Sequence, residues 1–91
     1  GDLTFEAPNF ERFPCIKLAY DVLEKMGTAP AVLNFANDYC VYRFLREEIK
    51  FTDISRIIEA AVENHTWLKN PKIEDIKNLD YWTKDFVNNF D

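Results

Sequence analysis

Apolar residues recur along this chain at helical spacing. Ile54, Ile57, Ile58, Ala61 and Val62 follow i, i+3, i+4, i+7, i+8 within FTDISRIIEAAVEN, which puts one apolar face on a helix. Thr52 is its expected N-cap, and Asp53 in the first turn suits the positive end of the helix dipole. Upstream, Ile16, Ala19, Tyr20 and Leu23 repeat the spacing in a helix predicted over Pro14–Met26, with Lys17, Asp21, Glu24 and Lys25 on its other side. Gly27 accommodates a positive φ and ends it.

The stretch that follows is apolar nearly all the way round. From Ala31 to Leu45 the only polar residues are Asn34, Asn37, Asp38 and Arg43. At about 100° per residue the first three share one narrow stripe. A helix so widely apolar is expected to be surrounded, so it reads as the central helix. Thr28 is its expected N-cap, Pro30 falls in the first turn, and the helix is expected to end near Arg46–Glu47. After Asn70-Pro71 breaks the chain, Ile73–Leu79 is expected to hold one short helical turn with Ile73 and Ile76 inward. A last helix follows over Asp80–Phe90, capped by Asp80 or Asn78. Leu79, Trp82, Thr83, Phe86, Val87 and Phe90 trace its inner face. Residues 1–12 read as an extended lead-in anchored by Phe5 and Phe10, because Pro8 disfavours helix at Ala7. The predicted fold is all-α: a small four-helix bundle over residues 13–91 with an N-terminal lead-in.

Composition narrows the function more than the fold. A chain of 91 residues with 47% hydrophobic content suits one packed domain, and two glycines leave little for a turn-rich β fold. The net charge of −5, with no basic cluster, argues against nucleic acid and anionic membrane surfaces as partners. No apolar run approaches the ~20 residues needed to span a bilayer. No secretory signal pattern opens the chain, and LTFEAPNF reads as the interior of something longer.

Candidate chemistry is sparse. With glycines only at positions 1 and 27 there is no phosphate-cradling loop. Cys15 and Cys40 are expected as buried free thiols, and a disulfide between them has no spacing signature. His65, the only histidine, has no local partner for general-base work; it is expected to meet helix-end carbonyls or solvent. One histidine and two distant cysteines do not make a zinc site. Glu47 and Glu48, and Glu74 and Asp75, read as solvated charge. Trp82, Phe86 and Phe90 read as core, with a peptide-binding groove as the alternative. Asn34, Asn37 and Asp38 are expected to satisfy backbone groups of the lead-in or of the third helix, with a ligand or partner site as the alternative. No catalytic, cofactor-binding or metal residue is assigned.

Four strings nevertheless stand in a familiar order: LTFEAP (3–8), FPCIKLA (13–19), GTAPAVLN (27–34) and FTDI (51–54). With their spacing, residues 3–60 resemble the C-terminal domain of 1-deoxy-D-xylulose 5-phosphate reductoisomerase; residues 61–91 resemble it in pattern only. Phe35 and Asp38 stand where that family usually has Ala and Glu. The resemblance implies an enzyme that rearranges 1-deoxy-D-xylulose 5-phosphate and reduces the product with NADPH to 2-C-methyl-D-erythritol 4-phosphate, in non-mevalonate isoprenoid biosynthesis. It implies Mg²⁺ or Mn²⁺ as metal and a homodimer of chains with a dinucleotide-binding domain, a catalytic domain and a C-terminal helical bundle. The family's NADPH loop, acidic metal ligands and lid histidine lie upstream of anything matching this sequence, and His65 does not correspond to that histidine. The chain is thus expected to brace the catalytic domain of the same polypeptide and to be inert alone. Its compartment would be the cytoplasm in a bacterium or a plastid-type organelle in a eukaryote. An independent helical interaction module is the alternative.

Overall fold

The computed structural model describes Leu18, Asp21, Val22 and residues 24–91. Among these residues it contains three complete helices, α1 (Ala29–Leu45), α2 (Phe51–Asn64) and α3 (Ile73–Asn88), and no strand. The helix expected over Pro14–Met26 lies mostly outside the described residues. Leu18, Asp21, Val22, Glu24 and Lys25 are helical, so the described residues are all-helical, with three bounded helices and part of a leading one. The lead-in over residues 1–12 also lies outside them.

Helix starts follow a rule that differs from the one expected. α2 begins at Phe51 with Lys50, not Thr52, at the N-cap. Asp53 accepts a hydrogen bond from the Lys50 backbone N–H at 2.9 Å, while its own N–H donates to the Lys50 carbonyl at 2.9 Å. At the start of α3 the Asp75 carboxylate likewise accepts from the Lys72 backbone N–H at 2.9 Å. An acid three residues past the cap satisfies the cap's own donor, so a hydroxyl at the cap is dispensable. The bond from the Lys50 N–H holds the Asp53 carboxyl below the usual carboxylate range, with Arg56 helping. α3 is continuous because no Gly or Pro interrupts it after Pro71; Asn78 and Asp80 are mid-helix residues, not caps. Ile73 consequently faces solvent, and only Ile76 is half-buried.

α1 is central, packing on both α2 and α3. Its buried seam is Ala29, Val32, Ala36 and Cys40, all fully buried. These side chains are small, which lets the neighbouring helices come close. α2 contributes Ile57, Ile58, Ala61 and Val62, as its periodicity predicts, and α3 contributes Leu79, Thr83 and Val87. The buried Thr83 hydroxyl donates to the Leu79 carbonyl at 2.7 Å, so it enters the core paired. Trp82 stacks on Phe86 with centroids 5.0 Å apart, and Phe86 lies 5.6 Å from Phe90. All three are half-buried and pack against the core, as the core reading of the stripe expects.

Candidate functional site

The most constrained part of the molecule joins the turn before α1 to the segment after α2. Met26 and Gly27 both take left-handed φ values, 56° and 57°. That double reversal carries the chain from the leading helical residues into α1. It also brings Gly27 against residues 67–68: a Cβ on Gly27 would sit 2.3 Å from the Leu68 carbonyl oxygen and 2.8 Å from the Trp67 ring nitrogen. Thr28 N–H donates to the Leu68 carbonyl at 2.9 Å, and Trp67 Nε1–H donates to the Met26 carbonyl at 3.0 Å.

Thr28 is the N-cap residue of α1, as expected, but its hydroxyl makes no capping bond. Its Oγ1 instead accepts from the Leu68 N–H at 3.0 Å and lies 2.9 Å from His65 Nε2. His65 Nδ1 meets the Val62 carbonyl, which can only accept, so the neutral ring carries its hydrogen on Nδ1. Nε2 then accepts from the Thr28 hydroxyl. The result is one directional chain: Leu68 N–H to Thr28 O–H to His65 to the Val62 carbonyl. His65 is therefore buried and fully paired, with no lone pair left for a substrate. The expectation of a helix-end carbonyl contact holds at Val62; the solvated alternative does not.

Burial holds the His65 pKa below its ordinary value; the Val62 carbonyl opposes this, and the charge of Lys25 adds to it. A lowered folded pKa means that the unfolded chain binds the proton more readily. The corresponding stability is present above the ordinary imidazole pKa of about 6.5 and is lost as pH falls towards the depressed folded value. The urea midpoint is expected to fall on acidification through about pH 6.5, and this component should be absent in His65→Phe. An unchanged pH profile in that variant would assign the fall to other groups.

A second tie closes the opposite end. Arg43 Nη1 donates to the Val87 carbonyl at 2.8 Å, which also accepts from the Phe90 N–H at 3.3 Å, and to the Phe90 carbonyl at 2.9 Å just past the end of α3. Glu48 orients the guanidinium at 3.2 Å and also pairs with Arg46 at 3.1 Å. Arg56 lies 5.1 Å over the Phe90 ring. Sequence reasoning passed over Arg43; its signal was a lone cation in an apolar helix. Arg43→Met is expected to cost about 1.5–3 kcal/mol, because it strips charged donors from half-buried carbonyls. Amide exchange near Asn88 should accelerate with it; a loss under about 0.5 kcal/mol would mean that water replaces the arginine.

Other candidates disperse. Cys40 is a free, fully buried thiol that burial pushes up to about 11, so it is a packing residue rather than a nucleophile. Cys15 lies outside the described residues. The Tyr39 hydroxyl donates to Asp80; that bond, then burial and nearby negative charge, push Tyr39 up to about 12. Asn34, Asn37 and Asp38 are all exposed, and no hydrogen bond joins them to another described residue. The expected pairing with backbone of the third helix is thus not made: α2 packs on the other side of α1. Among the described residues, no three His, Cys, Asp or Glu side chains converge where a metal ion would sit.

A family model described as the DXP reductoisomerase C-terminal domain matches residues 1–86. The chain belongs to that family. The match runs past the 3–60 stretch that carries the motifs and into α3. The chain is 48% identical over 87 residues to the 1-deoxy-D-xylulose 5-phosphate reductoisomerase of Acetivibrio thermocellus, covering 96% of this chain and 23% of that protein. It is 45% identical over 84 residues to that of Synechococcus sp. (strain JA-2-3B'a(2-13)), covering 92% and 21%. The solved reductoisomerase of Zymomonas mobilis in complex with NADPH superposes with a TM-score of 0.79 at 36% identity, over 91% of this chain and 22% of that one. This reductoisomerase C-terminal domain therefore spans between a fifth and a quarter of its relatives' length. No helix among the described residues is long and apolar enough to cross a membrane.

Proposed function

We propose that this chain is the C-terminal helical domain of a reductoisomerase that converts 1-deoxy-D-xylulose 5-phosphate to 2-C-methyl-D-erythritol 4-phosphate with NADPH and Mg²⁺ or Mn²⁺, in non-mevalonate isoprenoid biosynthesis. The observation that carries this reading is the match of a C-terminal domain model to residues 1–86, beside relatives more than four times as long. Within that enzyme the domain's work is structural: it braces the catalytic domain of the same polypeptide, which in turn supplies the groups that hold cofactor and metal. The 91 residues alone are inert. What supports this is that the polar side chains most tightly held here, Thr28, His65 and Arg43, spend their hydrogen bonds on the domain's own backbone and on each other. The working enzyme is a homodimer, cytoplasmic in a bacterial source and plastid-type in a eukaryotic one.

The test is direct. The longer protein carrying this chain should oxidise NADPH, read as loss of its near-ultraviolet absorbance, when given 1-deoxy-D-xylulose 5-phosphate and Mn²⁺. The 91-residue chain alone should not. Absence of turnover in the longer protein would overturn the activity; turnover by the 91 residues alone would overturn the structural role.

A further inference from the structure

The central helix is apolar on more sides than this domain covers. Its seam of Ala29, Val32, Ala36 and Cys40 is shut against α2 and α3. Opposite, within an arc of about 140°, stand Asn34, Asn37, Asp38, Val41, Tyr42 and Leu45. All six are exposed, including Tyr42 at 59% and Leu45 at 70%. The described part of the leading helix does not shield them, because Leu18 and Val22 sit beside Glu59, Val62 and Glu63 of α2. The outer stripe is thus divided. Its first half offers amide and carboxylate groups with no hydrogen-bond partner among the described residues, and its second half offers an aliphatic and aromatic patch.

We infer that this outer stripe of α1 is the surface on which the preceding part of the same polypeptide docks. The inference rests on the proposed function and deepens it by naming the docking face. Its occupant follows from length: relatives that match this domain along nearly its whole extent carry more than three times as much chain again outside it, in a family defined as C-terminal. The stripe also states the occupant's chemistry. Val41, Tyr42 and Leu45 call for an apolar counterpart. Asn34 and Asn37 match backbone N–H and C=O groups of a loop or helix end, and Asp38 requires N–H donors or a cation. A surface of that mixed kind suits an intrachain domain contact, which is more polar than an obligate subunit interface.

Two measurements on the longer protein test this. A photo-crosslinking residue at position 41 is expected to join covalently to a segment upstream of this domain within the same chain. Hydroxyl-radical labelling, normalised to the urea-unfolded protein, is expected to show Leu45 and Tyr42 protected several-fold more than Ile73, which is exposed to 78% here. A crosslink to a second copy would overturn the inference in favour of a subunit contact. Labelling of Leu45 as fast as that of Ile73, with no crosslink, would overturn it in favour of a solvent-facing stripe. Both readouts are independent of turnover, so a protein with the stripe covered but no NADPH oxidation would sink the proposed activity and leave the docking face standing.

Discussion

Gly27→Ala is expected to destabilise this domain by about 3–5 kcal/mol, combining left-handed backbone strain with overpacking. The left-handed φ of 57° is one part: a Cβ there crowds its own carbonyl. The larger part is spatial. The new methyl would meet the Leu68 carbonyl oxygen at 2.3 Å and the Trp67 indole at 2.8–2.9 Å, and the carbonyl is backbone rather than a movable side-chain tip. To make room, residues 67–68 must retreat, and the Thr28-to-Leu68 hydrogen bonds lengthen or break. For a domain of this size 1 kcal/mol corresponds to about 4–8 °C in Tm, so thermal unfolding should show a fall of well over 10 °C. A change within about 0.5 kcal/mol would mean that the clasp between the turn and the 65–68 segment is not closed as described.

Thr28→Val keeps the shape and removes the hydroxyl. Leu68 N–H then loses its acceptor and His65 Nε2 loses its donor in one step. Each orphaned group costs about 1–3 kcal/mol when it is shut away from water, and the Leu68 N–H is only part-buried, so about 2–4 kcal/mol is expected in total. Thr28→Ser retains the hydroxyl and should recover most of that loss. The pair separates hydrogen bonding from packing: if Ser and Val are equally destabilised, the methyl group matters and the relay does not. Because Thr28 and His65 share a hydrogen bond, Thr28→Val and His65→Phe should be strongly non-additive, the second change costing little once the first is made.

The parts of this molecule legible in the sequence are those set by neighbours a few residues apart. The Gly27 turn, the first-turn Pro30 and the α2 face of Ile57, Ile58, Ala61 and Val62 all follow from local sterics and the 3.6 period. The start of α3 was legible in principle. An acid three residues after Lys72 repeats the pattern at Lys50 and Asp53, but attention to hydroxyl and amide caps placed the start at Asn78 or Asp80. The Thr28–His65 pair was not legible, because 37 residues separate the partners and neither carries a local signal for the other. Arg43 and the Val87 and Phe90 carbonyls are 44 and 47 residues apart and share the problem.

The outer stripe of α1 is a subtler case. Its apolar breadth correctly indicated a central helix that needs company on several sides. The pattern does not say whether that company lies in the same domain. α2 and α3 supply it on the seam, while Asn34, Asn37 and Asp38 face out with Val41, Tyr42 and Leu45. A stripe that reads as a buried polar network from sequence is, in this domain taken alone, an open face. Functional meaning entered through the family strings instead, since GTAPAVLN and FTDI fall on the clasp, α1 and the α2 start, which are architecture rather than chemistry.

The role proposed for this domain is to support catalysis without taking part in it. The most direct test is complementation: a reductoisomerase truncated before the segment equivalent to LTFEAP, assayed for NADPH oxidation with 1-deoxy-D-xylulose 5-phosphate and Mn²⁺, with and without this 91-residue chain added. The account predicts that the truncated core is weak or unstable alone and regains turnover when the chain is supplied. A core that is fully active alone, and unchanged by the addition, would contradict it.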